Sequence, residues 1–472
     1  MDEVIIVGAG PVGLMLACEL ALAGVRPTVL DKRPEPGDLP RANGLVGQIV
    51  RMLDYRGLLE RFTEGGTFAG QPPGFPFGSV PLRLAGLDGI PLRVVMIQQP
   101  RIERLLAERA AELGVEIRRG TEVLALTQDD DGVTLELAGQ RLRARYAVGC
   151  DGGHSLIREQ AGIAFPGTTD DEVLRLGHFK TGQAADLAEE TRAMGLEPGW
   201  NHTPRGRLLL TSLRPGVHIV GVREKGATGP VTEADFQAAL RRVIGAALPL
   251  GEPIWLSSTV SQARLAERYR ADRVFLAGDA AHLFPAGGSA LNVGLMDAVN
   301  LGWKLAAVLT GRTAAGLLDT YEAERRPVGE RTLAHTRAQA ALERLSGEDG
   351  AALRDLLAEV FAFEQPARHL ATLLHGSDTG YGASSGDMVG SLAPDLRLTT
   401  AEGETRVAEL MREGRPVLLD LGGGATVDGD WIRVVDARCD APPADALLIR
   451  PDGQVAWAGT AGLREAAAAW AS

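Results

Sequence analysis

Val4 to Val7, a short continuous apolar run near the start of the chain, reads as a strand buried on both faces. The turn Gly8-Ala9-Gly10-Pro11-Val12-Gly13 follows. Leu14, Leu20 and Ala21 continue a helix that Pro11 can begin, since a first helical position needs no N–H, and that Gly24 can end. Thr28-Val29-Leu30 is a second strand and closes on Asp31. Residues 65–98 change character: Gly65-Gly66, Gly70, Pro72-Pro73-Gly74, Pro76 and Gly78 punctuate short apolar pieces and predict loops and hairpins. A helix is expected over Arg101–Leu113. Strands follow over Val123–Gln128 and Val133–Leu137 around the turn Asp129-Asp130-Asp131-Gly132, and another over Tyr146–Gly149.

Residues 170–265 are strand-rich again, with Leu208–Leu213 and Val217–Val222 flanking Arg214-Pro215-Gly216. After residue 266 the first unit resumes with the buried strand Val274-Phe275-Leu276-Ala277. Leu291, Leu295, Ala298, Leu301, Leu305 and Val308 then recur at helical spacing. A helical segment covers about 316–375, within which Glu324-Arg325-Arg326-Pro327 reads as a helix end. The pattern predicts an α/β fold in several parts. A Rossmann-like dinucleotide-binding domain comprises 1–66, 100–169 and 266–325. An inserted β-rich substrate domain comprises 67–99 and 170–265. A helical linker spans 326–385, and a C-terminal domain spans 386–472.

Composition narrows the classes. The 472 residues are 45% hydrophobic and 23% charged, enough for a large core in two to four domains. A formal net charge of -12 speaks against a nucleic-acid partner and against adhesion to an anionic membrane. Cys18, Cys150 and Cys439 are odd in number and far apart, so buried structural thiols and a cytoplasmic, reducing location are expected. Met1-Asp2-Glu3 runs straight into a strand, so no signal peptide is expected. No 18-residue apolar run exists to span a membrane. His178, His202 and His218 lack metal-ligand spacing, and no metal is expected.

Gly8, Gly10 and Gly13 carry the chemistry of the first turn. The first allows the tight turn, the second lets a pyrophosphate approach the backbone, and the third lets helix and strand pack closely. Asp31, 18 positions after Gly13, stands where a carboxylate accepts ribose hydroxyls. This unit alone does not separate NAD from FAD. The later segment does: Gly278-Asp279 ends a buried strand, placing a carboxylate for polyol hydroxyls. Pro285-Ala286-Gly287-Gly288-Ser289-Ala290 then enters a helix whose N-terminus, near Leu291-Asn292, would face a ligand that gains negative charge, as a reduced isoalloxazine does.

With these motifs in hand, the chain resembles class A flavoprotein monooxygenases of the para-hydroxybenzoate hydroxylase type. Three matches run in the family's order: the glycine fingerprint, Asp151-Gly152-Gly153-His154-Ser155-Leu156-Ile157-Arg158, and Gly278-Asp279 with Pro285. The resemblance implies FAD and NADPH as cofactors. It implies that Asp31, with Lys32 beside it, binds the adenosine ribose, that Arg41 contacts the pyrophosphate or ribityl region, that Gln99 touches the flavin chain and Val123 the adenine. It further implies Asp279 on the ribityl hydroxyls, Asp151 serving both FAD and NADPH, and Gly288, Leu291 and Asn292 bordering the flavin ring. The family usually has Glu where Asp31 stands.

Pro40-Arg41-Ala42-Asn43-Gly44-Leu45 and Gly294–Leu305 look like the actinobacterial enzymes that tailor aromatic polyketides. The C-terminal domain is similar to thioredoxin in its Leu392-Ala393-Pro394-Asp395 opening, its strand Val417–Leu421 and its hairpin of Ala446–Ile449 and Gln454–Trp457. Gly422-Gly423-Gly424 replaces the Cys-x-x-Cys, so a packing role is expected.

The implied reaction reduces FAD with NADPH, forms a flavin C4a-hydroperoxide with O2, and either hydroxylates an electron-rich aromatic ring or inserts oxygen beside a ketone (Baeyer–Villiger). Arg51 is the candidate catalytic residue, facing the flavin; the competing reading is a surface arginine paired with Asp54 or Glu60. Phe75, Phe77, Trp200 and Trp255 are candidates to stack on a polycyclic substrate. The partners are that small aromatic molecule and O2, with a homodimer as the candidate assembly. Antibiotic inactivation, a NAD-dependent dehydrogenase and a non-catalytic flavin- or antibiotic-binding protein are the alternatives. A flavin halogenase would carry Trp-x-Trp-x-Ile-Pro, which the chain lacks.

Overall fold

The computed structural model describes residues 1–40, 42–66, 68–180, 184–214, 216–226, 228–285, 289–381, 388–427 and 429–471. Its central eight-stranded sheet runs Arg270–Ala271, Val274–Leu276, Gln140–Gly149, Asp2–Val7, Thr28–Asp31, Glu116–Arg119. The hairpin Val123–Asp129 and Gly132–Leu137 lies against Gln140–Gly149. Asp2–Val7 pairs in parallel with both of its neighbours. Leu30, Val7, Gly149 and Leu276 stand side by side. The residues that follow them therefore emerge at one edge, the carboxyl ends of parallel strands, where open α/β sheets bind ligands.

Helix Pro11–Leu22 and helix Ala290–Leu309 pack together closely: a Cβ on Gly302 would stand 2.6 Å from the Cβ of Glu19. The expected helix over Arg101–Leu113 is found as Gln99–Glu112, with Pro100 in its first turn. The spacing in Ala290–Leu309 predicts one apolar face, yet Asn292, Asp297, Asn300 and Lys304 are buried as well. The physical reason is a second cover. Trp303 and Ala307 pack on Leu418, Leu448 and Trp457 of the C-terminal sheet.

A second, antiparallel sheet of six strands runs Gly199–Thr203, Gly206–Arg214, Val217–Lys225, Gly167–Lys180, Pro253–Leu265, His282–Leu283. Its last strand follows the Gly278-Asp279 turn directly, so one short segment serves both sheets. Helix Glu233–Ile244 covers one face through Phe236, Leu240 and Val243 on Phe179, Val220 and Val222. The third sheet runs Gly403–Arg406, Arg397–Thr400, Arg433–Arg438, Val417–Asp420, Ala446–Ile449, Val455–Ala458. In the loop after Val417–Asp420, the Asp420 carboxylate accepts the N–H groups of Gly422, Gly423, Gly424 and Ala425 at 2.8–3.2 Å. The triglycine is folded onto its own aspartate.

Glu324-Arg325-Arg326-Pro327 does not end a helix. Helix Asp319–Arg344 continues through Pro327. An interior proline removes one hydrogen bond and costs about 3 kcal/mol. Packing on both sides outweighs that: Tyr321 and Arg325 are buried before it, and Val328, Thr332, Thr336 and Gln339 after it. Among the described residues, no helix is long and apolar enough to cross a membrane.

Candidate functional site

Two of the three fingerprint glycines are required by the protein itself. A Cβ on Gly8, whose φ is 109°, would stand 2.3 Å from the Cys150 carbonyl oxygen, and one on Gly13 would stand 2.0 Å from the Gly8 carbonyl oxygen. Gly10 differs. Its backbone is extended (φ −76°, ψ 179°), and a Cβ there meets nothing within 4 Å. No side chain caps the helix that starts at Pro11, so its first-turn N–H groups border this open cradle.

Asp31 is buried beside the turn. One carboxylate oxygen accepts the Ala9 N–H at 2.8 Å, and the other accepts the Arg33 N–H at 2.8 Å. Burial pushes its carboxyl up, but the hydrogen bonds from Arg33 and Ala9 outweigh that and hold it below the usual range. Lys32 is exposed next to it. The Gln99 side chain donates to Glu103 at 2.9 Å, and its backbone N–H donates to the Ala42 carbonyl at 2.9 Å. Glu103 is buried, and its Oε2 stands 3.9 Å from Arg33 Nη2. Val123 is buried at the start of its strand. Arg41 and Gly288 lie outside the described residues.

Asp151 emerges two residues after Gly149. Its oxygens accept the Ser155 hydroxyl at 2.5 Å and the Ile157 N–H at 3.2 Å, bracketing the start of helix Leu156–Gln160. Burial raises its carboxyl, with the Ser155 bond opposing. Gly278 has φ 64°, and a Cβ there would press on Val12 at 2.9 Å. Asp279, next in the chain, is exposed at this edge, and Pro285 is buried. Asn292 Oδ1 accepts the Val46 N–H at 2.9 Å, with half-buried Leu291 adjacent. This bond ties strand Leu45–Val46 to the N-terminus of helix Ala290–Leu309.

Beyond Val46 and Asn292 opens a narrow cavity of about 50 Å³, partly open to solvent. Phe75, Met296 and Leu373 give it apolar walls, and His335 and His375 add imidazoles. Burial pushes His335 down to about 4 and His375 down to about 3, so both are uncharged at neutral pH. Sequence reasoning missed both histidines, because they sit in helices read only as a linker.

Arg51 does not line this cavity. It shares a face of helix Gln48–Tyr55 with Tyr55, one turn on. Arg51 Nη1 and the Tyr55 hydroxyl both donate to the Ala393 carbonyl, at 3.0 and 2.7 Å. Asp54 pairs instead with Arg406. The reading of Arg51 as a surface arginine paired with Asp54 or Glu60 does not match this placement, because it left out the C-terminal segment covering the helix. Of the candidate aromatics, Phe75 lines the cavity, while Phe77 is core, edge-on to Phe361. Trp200 is flanked by Arg207 and Arg223, and Trp255 is edge-on to His178.

Behind the edge lies a cluster that sequence reasoning also missed. Asp297 is fully buried. It accepts the Gly278 N–H at 3.2 Å, His282 Nε2 at 2.7 Å and Arg325 Nε at 2.8 Å. Burial alone would raise this carboxyl, and Arg325 and His282 reverse the sign. An acidic residue inside the apolar run Gly294–Leu305 was the available signal. Among the described residues, no group of His, Cys, Asp or Glu could hold a metal.

Strand ends in register, a glycine cradle at a helix N-terminus and an exposed carboxylate at the next strand end define a dinucleotide-binding α/β protein. A family model described as "FAD binding domain" matches residues 1–336, and one described as "Aromatic-ring hydroxylase, C-terminal" matches 386–472. The chain belongs to this family of FAD-dependent monooxygenases. It is 42% identical to a rifampicin monooxygenase of Streptomyces venezuelae, over 97% of this chain and 96% of that one. It is 39% identical to a dialkyldecalin synthase of Streptomyces rugosporus, over 99% and 98%. The solved structure of an aromatic hydroxylase from angucycline biosynthesis superposes with a TM-score of 0.89 at 38% identity, over 100% of this chain and 99% of that one.

Proposed function

We propose that this chain is an NADPH-dependent flavin monooxygenase acting on a polycyclic aromatic compound of the polyketide type. The observation that carries the reading is the row of strand ends that leads from the Gly10 cradle past Asp279 to the cavity beyond Val46 and Asn292. The residues fit FAD. Gly10 and the Pro11 helix N-terminus would take the pyrophosphate, and Asp31 the adenosine ribose. Asp279 would take the ribityl hydroxyls, and the Val46–Asn292 junction would border the ring. When bound, FAD supplies electron transfer from the nicotinamide and activation of O2.

The chain's own part is placement and exclusion of water. Phe75, Met296, Val328 and Leu373 give the cavity an apolar wall against a flat ring. His335 and His375 offer hydrogen bonds without charge. Residues 386–472 are read as a thioredoxin-like unit with no thiol redox role. The two monooxygenase-type relatives, one from a biosynthetic route and one named for rifampicin, support polycyclic natural products as the substrate class. Turnover of a polyphenol under 18O2 tests the reading. One 18O atom in the product with one NADPH oxidised supports it, and a ring hydroxyl or a lactone tells hydroxylation from Baeyer–Villiger insertion. The synthase relative motivates a second reading, ring formation without oxidation. That reading requires a product isomeric with its substrate and no NADPH consumed.

A further inference from the structure

The C-terminal unit lacks a redox motif, yet it reaches the flavin edge through an unbroken set of buried polar contacts. Arg450 and Asp452 lie in the turn between the last two strands. Arg450 grips Glu324 with both Nη atoms at 2.8 Å and Asp452 at 2.6 Å, and Lys304 reaches Glu324 at 2.7 Å. Asn300 and Trp303 donate to Asp452, each at 3.1 Å. The turn is thus docked on helix Ala290–Leu309 and helix Asp319–Arg344 together.

Arg450 also lies over the Tyr381 ring, 5.2 Å from its centroid. Tyr381 is pinned to the same sheet: its N–H donates to the Gly390 carbonyl, and the Gly390 N–H donates to that of Val455. The Tyr381 oxygen accepts Arg325 Nη1 at 2.9 Å. Arg325 places Nη2 on the Val293 carbonyl at 3.1 Å and Nε on Asp297 at 2.8 Å. Asp297 holds the Gly278 N–H. Glu324 and Arg325 are neighbours on one helix, so one contact from the C-terminal sheet orders both.

We propose that Tyr381 and Arg450 are positioning residues for FAD, acting through Arg325 and Asp297 on the Gly278-Asp279 turn. The C-terminal unit thereby completes the flavin site without touching the flavin. This rests on the reading that Asp279 holds the ribityl chain. The geometry favours it over general packing, because Arg325 spends all three of its nitrogens on Tyr381, Val293 and Asp297, which leaves its position fixed from both ends.

The test compares FAD dissociation constants of full-length apoproteins by flavin fluorescence, together with the visible spectrum and midpoint potential of the bound flavin. Tyr381→Phe removes one acceptor atom and is expected to weaken FAD about tenfold and shift the potential. Arg450→Met is expected to do the same, and the double variant is expected to add little, since both cut one link. Arg406→Met breaks a separate contact of the C-terminal unit, to Asp54, and is expected to lower the melting temperature with FAD affinity within twofold. Unchanged FAD affinity and potential in Tyr381→Phe overturns the proposal, as does equal weakening by Arg406→Met or an additive double variant. Asp279→Ala is the check on the underlying reading. If it leaves FAD affinity unchanged, the ribityl assignment falls and the proposal with it. If it alone weakens FAD, only the coupling falls.

Discussion

Replacing Gly10 and Gly13 one at a time by alanine separates what a glycine does for the fold from what it does for a ligand. At Gly13 the new Cβ starts 2.0 Å from the Gly8 carbonyl oxygen, where ordinary contact begins near 3.4 Å. Helix and turn must part by roughly 1.4 Å, and the neighbour is backbone, which cannot rotate away. Overpacking of this kind costs about 1–3 kcal/mol. It should appear in a urea melt of the apoprotein as a lower midpoint with unchanged slope. At Gly10 the same methyl meets nothing within 4 Å, and the backbone is one that any residue adopts. The only cost to the apoprotein is that of Ala for Gly at an N-cap, about 1 kcal/mol or less. The methyl does fill the cradle where a pyrophosphate would meet the N–H groups. FAD affinity should therefore fall at least tenfold, about 1.4 kcal/mol. Fluorescence titration of each apoprotein with FAD, beside the urea melts, completes the assay. Gly10→Ala binding FAD within twofold of the parent would refute the reasoning, and so would Gly13→Ala with an unchanged melt.

Glu324→Gln should destabilise the protein by about 3–5 kcal/mol in denaturant melts, because it leaves Lys304 buried against a neutral group and Arg450 with Asp452 alone. Arg51→Met should cost about 1 kcal/mol of stability, since Tyr55 still satisfies the Ala393 carbonyl, and should retain substrate-stimulated NADPH oxidation. A hundredfold loss of turnover would instead restore Arg51 as a catalytic group. Stability should fall on acidification in two stages. His335 and His375 fold with values depressed to about 4 and about 3, so below about 6.5 the unfolded chain takes up protons that the folded one refuses. Each histidine then costs ~1.4 kcal/mol per pH unit until its folded value is reached. Glu324 resists protonation to about 2, because Arg450 and Lys304 outweigh burial. Its contribution is present above the unfolded value near 4.5 and is lost between there and about 2. Melts from pH 8 to pH 4 that show a clearly shallower decline in the double His335→Gln, His375→Gln variant than in the parent would fit, the remaining slope coming from His178, His202 and His218, which burial also depresses. Equal decline in both would not.

The legible parts of the fold are those whose constraint is local. Gly8, Gly10 and Gly13 stand within one turn, and their spacing encodes a backbone geometry that needs no distant partner. The hairpins around Asp129–Gly132 and Arg214–Gly216 have the same property, and their strands are found as Val123–Asp129 with Gly132–Leu137 and Gly206–Arg214 with Val217–Lys225. Gly278-Asp279 was readable because a short apolar strand ending on Gly-Asp fixes where the aspartate emerges. What escaped is polar burial. Thr332, His335, Thr336 and Gln339 follow one another at helical spacing on Asp319–Arg344 and look like a solvated face, yet all four are buried. Hydropathy assigns polar residues to water because an unpartnered buried polar group is costly. It has no access to partners supplied from elsewhere in the chain. Glu324 is 126 positions from Arg450, and Arg51 is 342 from the carbonyl it serves. Pro327 misleads for the same reason: a local rule ends the helix, and remote contacts keep it going. Groups that orient a cofactor or a substrate must be polar, buried and held from several directions. They therefore fall in the class that a one-dimensional pattern reads as surface, and Asp297, Asn300 and Lys304, set among apolar neighbours in Gly294–Leu305, are the groups whose sequence context carried a signal of burial.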